Sequence, residues 1–369
     1  MGARPDGAAT EGAQADSSFA RIAGVRLPRV AVVVGCHDQA AYVEAALNSV
    51  AAQSYRDFEC VVLDDSSSDG SYGRIQEVLE ALGDHRFRAI PRRENGGQMV
   101  AMLEGLDATS CPFVAFLDAD DLWHPAFLER HVLAHMSARG VAAVSCSNLA
   151  LVDAEGTQLT GGKPNFIDTD PRQPHRKAVV TEELLDGETR LFVAPGILSA
   201  WIWSATSAMM FRRSVLNTLR PARPERIRIC ADHYLAKGSH MLGGTVRIEQ
   251  SLGCYRVHGS NEFARNPLLG GRTALGRPPD DIVAASKDEW VRCLCEKAEQ
   301  LLATLSPAYV ARLLIDLAGR ERAFALAATN PGARLILSNL PPPRPTPRLK
   351  RLRRRLARWL SPASDETKL

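Results

Sequence analysis

Short apolar runs alternate with amphipathic stretches through the first third of the chain. Arg29 to Gly35, Phe58 to Leu63, Phe87 to Pro91 and Phe113 to Leu117 are the runs. The first and last are continuously apolar, which predicts strands buried on both faces, as in a mostly parallel sheet. Between the runs, Ala40 to Ala52 places Tyr42, Val43, Ala46, Leu47 and Val50 along one side, and Tyr72 to Leu82 and Gln98 to Ala108 also read as helices. Alternating strands and helices up to Pro125 predict a doubly wound, Rossmann-like α/β sheet with flanking helices. Further on, the pattern predicts a helix over Leu128 to Ser137, a strand over Val141 to Val152 and a loop-rich Gly156 to Arg176. A strand over Ala205 to Phe211, a helix from Ser214 and a strand over Val246 to Leu252 come next. Asp281 to Ala328 reads as two amphipathic helices broken near Pro307.

This divides the chain into a disordered leader (1–27), an α/β domain (28–262), a C-terminal helical extension (263–335) and a Pro-rich linker with a basic tail (336–369). In the tail, Leu349, Leu352, Leu356 and Leu360 share one helical face beside a run of Arg, the pattern of a helix that lies on a membrane surface. From Arg344 onward, nine Lys/Arg face two Asp/Glu, a surplus of seven. The rest of a chain of net charge +3 therefore carries −4. The body has no basic signature for nucleic acid. Leu191 to Phe211 is uncharged, but Pro195, Gly196 and a central Trp201 and Trp203 argue for a buried loop and strand over a membrane span. The eight cysteines show neither zinc nor disulfide spacing, which predicts a reducing, cytoplasmic setting, with peripheral contact on the inner face of the membrane if the tail binds there.

Three carboxylates, Asp118, Asp120 and Asp121, come directly after the run Phe113 to Leu117. Acids crowded at the carboxyl end of a buried strand need a cation among them. Mg²⁺ or Mn²⁺ suits carboxylate oxygens and leaves positions open for phosphate. The Gly-x-Gly-x-x-Gly turn and the Walker lysine motif are both absent, so a metal is the means left for neutralising a nucleotide's phosphates. The turns at Gly35 to Asp38 and Asp64 to Asp65 lie at strand ends on the same edge, where carboxylates can accept from a base or a sugar. His131 and His135, at i, i+4, read as a surface helix face.

Five stretches occur in order: Val32-Val-Val-Gly-Cys-His-Asp38, Gln53-Ser-Tyr-Arg-Asp-Phe-Glu59, Leu63-Asp-Asp-Ser-Ser-Ser-Asp-Gly70, Asn95-Gly-Gly-Gln98 and Phe116-Leu-Asp-Ala-Asp-Asp121. Together they resemble the family 2 glycosyltransferases, of GT-A fold, over roughly 29 to 260. The resemblance implies inverting transfer of one sugar from a nucleotide diphosphate sugar, with a UDP-sugar the first expectation, to a glycan or lipid-linked acceptor in bacterial surface-glycan assembly. It implies a nucleotide-sugar half (28–125) and an acceptor half (126–262). By the same analogy Asp65 contacts the base, Asp118 the ribose and Asp120 the divalent metal. Gly35, His37, Gly97 and Gln98 line the donor site. Asp232 in Ala231-Asp-His233 becomes the general base, and His258 in Tyr255-Arg-Val-His258 approaches the metal or diphosphate.

The sequence departs from the family pattern in places. Gly35 stands where the family carries Pro, His37 where it carries an aromatic, and Met102 and Leu103 where many members carry Arg-Asn, with Gln98 a partial substitute. The Gln-x-x-Arg-Trp motif of processive synthases is absent, which favours single addition. Two other readings stay open: a non-catalytic sugar-nucleotide binding or scaffold member, and a nucleotidyltransferase.

Overall fold

The computed structural model describes residues 26–137, 142–159, 179–183, 189–193, 201–259, 261 and 278–340. Almost all of the predicted leader, and the Pro-rich linker and leucine-faced tail beyond Leu340, lie outside the described residues. The chain forms two compact units, 1–293 and 294–369.

In the first unit the elements run β1 (Val30–Cys36), α1 (Val43–Ala51), β2 (Phe58–Asp64), α2 (Ser71–Leu82), β3 (Phe87–Pro91), α3 (Gln98–Asp107) and β4 (Phe113–Asp118). They continue with β5 (Leu122–Trp123), α4 (Phe127–Ser137), β6 (Val144–Val152), β7 (Val179–Glu183), β8 (Thr189–Val193), β9 (Met209–Arg212), α5 (Arg213–Thr218), α6 (Ala231–Gly243), β10 (Thr245–Arg256) and α7 (Asp280–Glu296). One sheet takes the order β3-β2-β1-β4-β9-β6-β10-β8-β7, with β5 paired to β10. The expected parallel sheet holds over β3-β2-β1-β4. It then becomes mixed, because β9 runs antiparallel between β4 and β6 while β10 is parallel to β6.

The continuous apolar runs are buried on both faces because helices cover both. Val30, Val32 and Val34 share a core with Val43, Leu47 and Val50 of α1. Val33, on the opposite face, meets α3 at Gly105. Removing side chains of this size from water contributes roughly 1.5–3 kcal/mol each.

Two local expectations change. Ala205 to Phe211 begins as a 3₁₀ turn (Thr206–Ala208) and becomes strand only at Met209. His131 and His135 do not form a surface face; both are buried, because α4 lays them between Phe113, Phe127 and the sheet. His131 Nδ1 pairs with Ser145 Oγ at 2.7 Å, and His135 Nε2 donates to the Met210 carbonyl at 3.2 Å. Burial holds both rings neutral, pushing His135 down to about 3.

The second unit is helical: α8 (Ala298–Thr304), α9 (Pro307–Ala318), α10 (Arg320–Thr329) and α11 (Pro331–Ser338). The extension therefore breaks at Lys297, Gly319 and Asn330 as well as near Pro307. Pro307 and Pro331 open helices, where the missing N–H costs nothing, and Asn330 caps α11 by accepting from Ala333 N at 2.9 Å. No helix among the described residues is long and apolar enough to cross a membrane. None of the eight cysteines forms a disulfide.

Candidate functional site

Strand register brings the predicted donor residues together. Gly35 on β1 pairs with Asp118 on β4, and Cys36 pairs with Asp64 on β2. These three carboxyl ends flank the point where the chain order reverses, the place where open α/β sheets leave a crevice. The non-glycine residues with positive φ among those described, Asp38 (52°), Ser66 (61°) and Cys230 (56°), stand after β1, after β2 and at the head of α6. Such conformations cost free energy and cluster where a fold serves a site.

Asp65 organises the second turn. Its Oδ1 accepts from Gly96 N at 2.9 Å and from Arg92 Nη1, and its Oδ2 accepts from Gly97 N at 2.8 Å. Both oxygens are taken up within the protein, where they fix the Gly96-Gly97 turn. His37 is exposed, and its Nε2 lies 2.8 Å from Asn95 Nδ2; Asn95 Oδ1 in turn accepts from Arg228 at 2.5 Å. Gly35 is half-buried, and a Cβ there would meet nothing within 4 Å.

Gln98 joins the two halves. Its Nε2 lies 3.4 Å from both Asp118 Oδ1 and Thr206 Oγ1, its Oε1 accepts from Ala231 N at 2.9 Å, and its own N donates to the Arg228 carbonyl at 2.8 Å. The head of α6, and Asp232 on its first turn, is thereby tied to the end of β4.

The acidic cluster is braced from β10. Asp121 is buried, accepting from Ser207 Oγ at 2.6 Å and from Arg256 N at 2.9 Å, so it shapes the turn and offers no free oxygen face to a ligand. Arg256 Nε donates to the Asp120 carbonyl at 2.9 Å, and its guanidinium lies over the Tyr42 ring. His258 stacks on Tyr42, and its Nε2 lies 2.9 Å from Asp120 Oδ2. Burial, then Asp120, then Asp232 push the Asp118 carboxyl up to about 7. Burial pushes Asp232 up to about 6. Among the described residues His258 is the only basic side chain bonded to Asp118, Asp120 or Asp232.

No three metal-ligating side chains converge among the described residues. Asp120 and His258 supply two donors, and their 2.9 Å separation is close to the span between neighbouring ligands of a small octahedral cation at about 2.1 Å. Carboxylates held out of water with so little positive charge among them fit such a cation. Reading the sequence missed Arg228, Thr206 and Ser207, because their parts are played through backbone atoms and short polar contacts that leave no spacing signal.

Residues 31–178 match the description of glycosyl transferase family 2. Over those residues the chain carries a domain of that family. An uncharacterized glycosyltransferase of Nostoc sp. is 31% identical over 233 residues, which is 63% of this chain and 66% of that protein. TuaG of Bacillus subtilis, assigned by name to teichuronic acid biosynthesis, is 33% identical over 132 residues, 36% of this chain and 51% of that protein. The chain thus spans between half and two-thirds of these relatives. A crystal structure of S. aureus TarS 1–349 overlays with a TM-score of 0.48 at 16% identity, covering 81% of this chain and 73% of that one.

Proposed function

We propose that the protein transfers one sugar, with inversion, from a nucleotide diphosphate sugar to an acceptor hydroxyl in the assembly of a bacterial surface glycan. The observation that carries this reading is Gln98. It joins the Asp118–Asp120 corner to the head of the Asp232 helix, with the expected donor groups on one side and a candidate base on the other. The name of TuaG supports a glycan acceptor.

Asp120 and His258 would hold a divalent cation, which when bound supplies positive charge to the leaving diphosphate. Asp65 presents the Gly96-Gly97 turn on the base side, with His37 and Gly35 at its rim, and Asp118 accepts from the ribose. Asp232 takes the proton of the acceptor hydroxyl as that oxygen forms its bond to the anomeric carbon and the bond to the diphosphate breaks. A carboxylate titrating about 6 is ionised at neutral pH and is still a stronger base than a solvated one. A single displacement of this kind inverts the anomeric centre.

The test is differential scanning fluorimetry with Mn²⁺ and UDP, GDP, dTDP or CDP on wild type, Asp120→Ala and Asp232→Asn. Ligand bound to the native state raises Tm. The expected result is a metal-dependent rise with one nucleotide, with a UDP response expected first. It is lost in Asp120→Ala and kept in Asp232→Asn, which binds without turning over. No rise with any nucleotide refutes the donor site. A rise without transfer to any acceptor by wild type favours the non-catalytic scaffold.

A further inference from the structure

Beside Asp232 lies a group of basic and donor side chains that the transfer step does not use. Helix α6 carries His233 and Lys237 one turn apart on one side, and α7 brings Lys287 and Trp290 to them. The His233 ring is 5.8 Å from the Trp290 ring and stacks at 6.3 Å on the half-buried Trp201. Lys237 is half-buried and Lys287 exposed, so the seam opens to solvent at one end.

The seam contains like charges and unpaired donors. His233 is held down to about 4 by burial, then by Lys237 and Lys287, and Lys237 is lowered by burial and Lys287. Lys287 stands three residues before Trp290 on α7, whose ring meets His233. Among the described residues neither lysine has a carboxylate partner. His233 is only 6% exposed, yet its Nδ1 has no hydrogen-bond partner; nor have Trp290 Nε1, which faces α6 at Gly238, and Ser286 Oγ one turn before it. Gathering repelling cations and unpaired donors in a partly dry seam destabilises the empty fold. An oxyanion between the two lysines would give both a counter-charge and could accept from His233 Nδ1–H.

We infer that the seam between α6 and α7 binds an oxyanion, a phosphate or carboxylate carried by the acceptor, held by Lys237, Lys287 and His233 next to Asp232. The acceptor part of this inference rests on the proposed function; the anion site does not. A charged acceptor anchored here lies along α6, with its hydroxyl toward the first turn, where Asp232 stands.

The experiment monitors thermal unfolding of the full chain in inorganic phosphate, without metal or nucleotide, for wild type and Lys237→Gln/Lys287→Gln. Wild type should show a saturating rise in Tm. The double variant should need about tenfold more phosphate, the loss expected for charge-assisted bonds. In phosphate-free buffer the variant should melt no lower than wild type, since removing paired lysines of a purely structural kind would lower it. Equal phosphate responses in the two proteins, or no response in wild type, overturn the site. A hexose 6-phosphate should bind wild type more tightly than inorganic phosphate; equal affinities mean a free-anion site and overturn the acceptor assignment. The Mn²⁺–nucleotide response should survive in the double variant. If it vanishes there, the lysines serve the donor diphosphate and the inference fails. If it is absent from wild type while the phosphate response behaves as expected, the anion site stands and the donor-site reading falls.

Discussion

Replacing Gly97 by Ala should be far more damaging than the same change at Gly35 or Gly96, although all three glycines line one turn-rich edge. Gly97 has φ 86° and ψ 171°, a backbone region almost confined to glycine, where a side chain costs about 1–3 kcal/mol. A Cβ there would also lie 2.8 Å from both Cα and the carbonyl oxygen of Arg228, and backbone atoms cannot swing aside. Relief must separate the turn from the 228–231 segment. That loosens the bond from Gln98 N to the Arg228 carbonyl and the one from Ala231 N to Gln98 Oε1, each worth about 0.5–1.5 kcal/mol net. The total is about 2–6 kcal/mol, and Asp232 loses its tie to the end of β4. At Gly96 the added carbon meets only side-chain atoms, Arg92 Nη1 at 2.5 Å and Val100 Cγ1 at 2.9 Å, and φ is not positive, so Gly96→Ala costs less than Gly97→Ala. At Gly35 it meets nothing within 4 Å and φ is ordinary, so Gly35→Ala is neutral or stabilising by about 0.4–1 kcal/mol. Urea denaturation followed by tryptophan fluorescence gives the three values. Gly97→Ala within about 1 kcal/mol of wild type, against the strain alone, would mean that the turn does not rest on Arg228, and the geometry joining the two halves would be wrong.

Transfer by wild type should fall with unit slope below about pH 6, as Asp232 takes up a proton and ceases to be a base; a pH–rate profile reads this. The same group has a stability signature. Its folded value lies above its ordinary 3.8, so its stabilising contribution is full below about 4 and lost as pH rises to 6, and Asp232→Asn should not show that loss in a pH series of melting curves. His135 has the opposite sign: its folded value of about 3 lies below 6.5, so stability is lost as pH falls from 6.5, and His135→Leu, though weaker at pH 7, should show a shallower acid slope. Arg256→Lys keeps a charge but cannot span the carbonyls of Asp120, Asp153 and Ala154, which accept at 2.9, 3.2 and 2.8 Å. It should weaken Mn²⁺ binding about tenfold to a hundredfold in a titration.

The parallel half of the fold was legible because strands buried on both faces leave unbroken apolar runs, and β1, β2, β3 and β4 lie within a residue of where those runs predict them. The carboxyl-end positions of Asp65 and Asp118 were legible for the same reason: once strand ends are known, a parallel register sets the residues at those ends side by side. The remainder of the sheet was less legible. Strand β9 is short and antiparallel, and it begins with a 3₁₀ turn whose Ser207 bonds Asp118 N and Asp121. Nothing in the run Ala205 to Phe211 marks that change of direction, because a serine in a turn and a serine in a strand read alike. His131 and His135 were misplaced by a similar ambiguity. Their i, i+4 spacing gives a shared face but not the element that covers it, and only the crossing of α4 over β6 and β10 makes that face interior. Asp232 and its neighbours show the deeper reason. The sequence supplies an acid between an alanine and a histidine, but its raised basicity comes from burial, and its tie to the end of β4 from one glutamine distant in the chain. Local pattern reads the contribution of each element to its own core; a site assembled from six strand and helix ends depends on contacts between elements, and there chemistry is visible only as residue types waiting for a geometry.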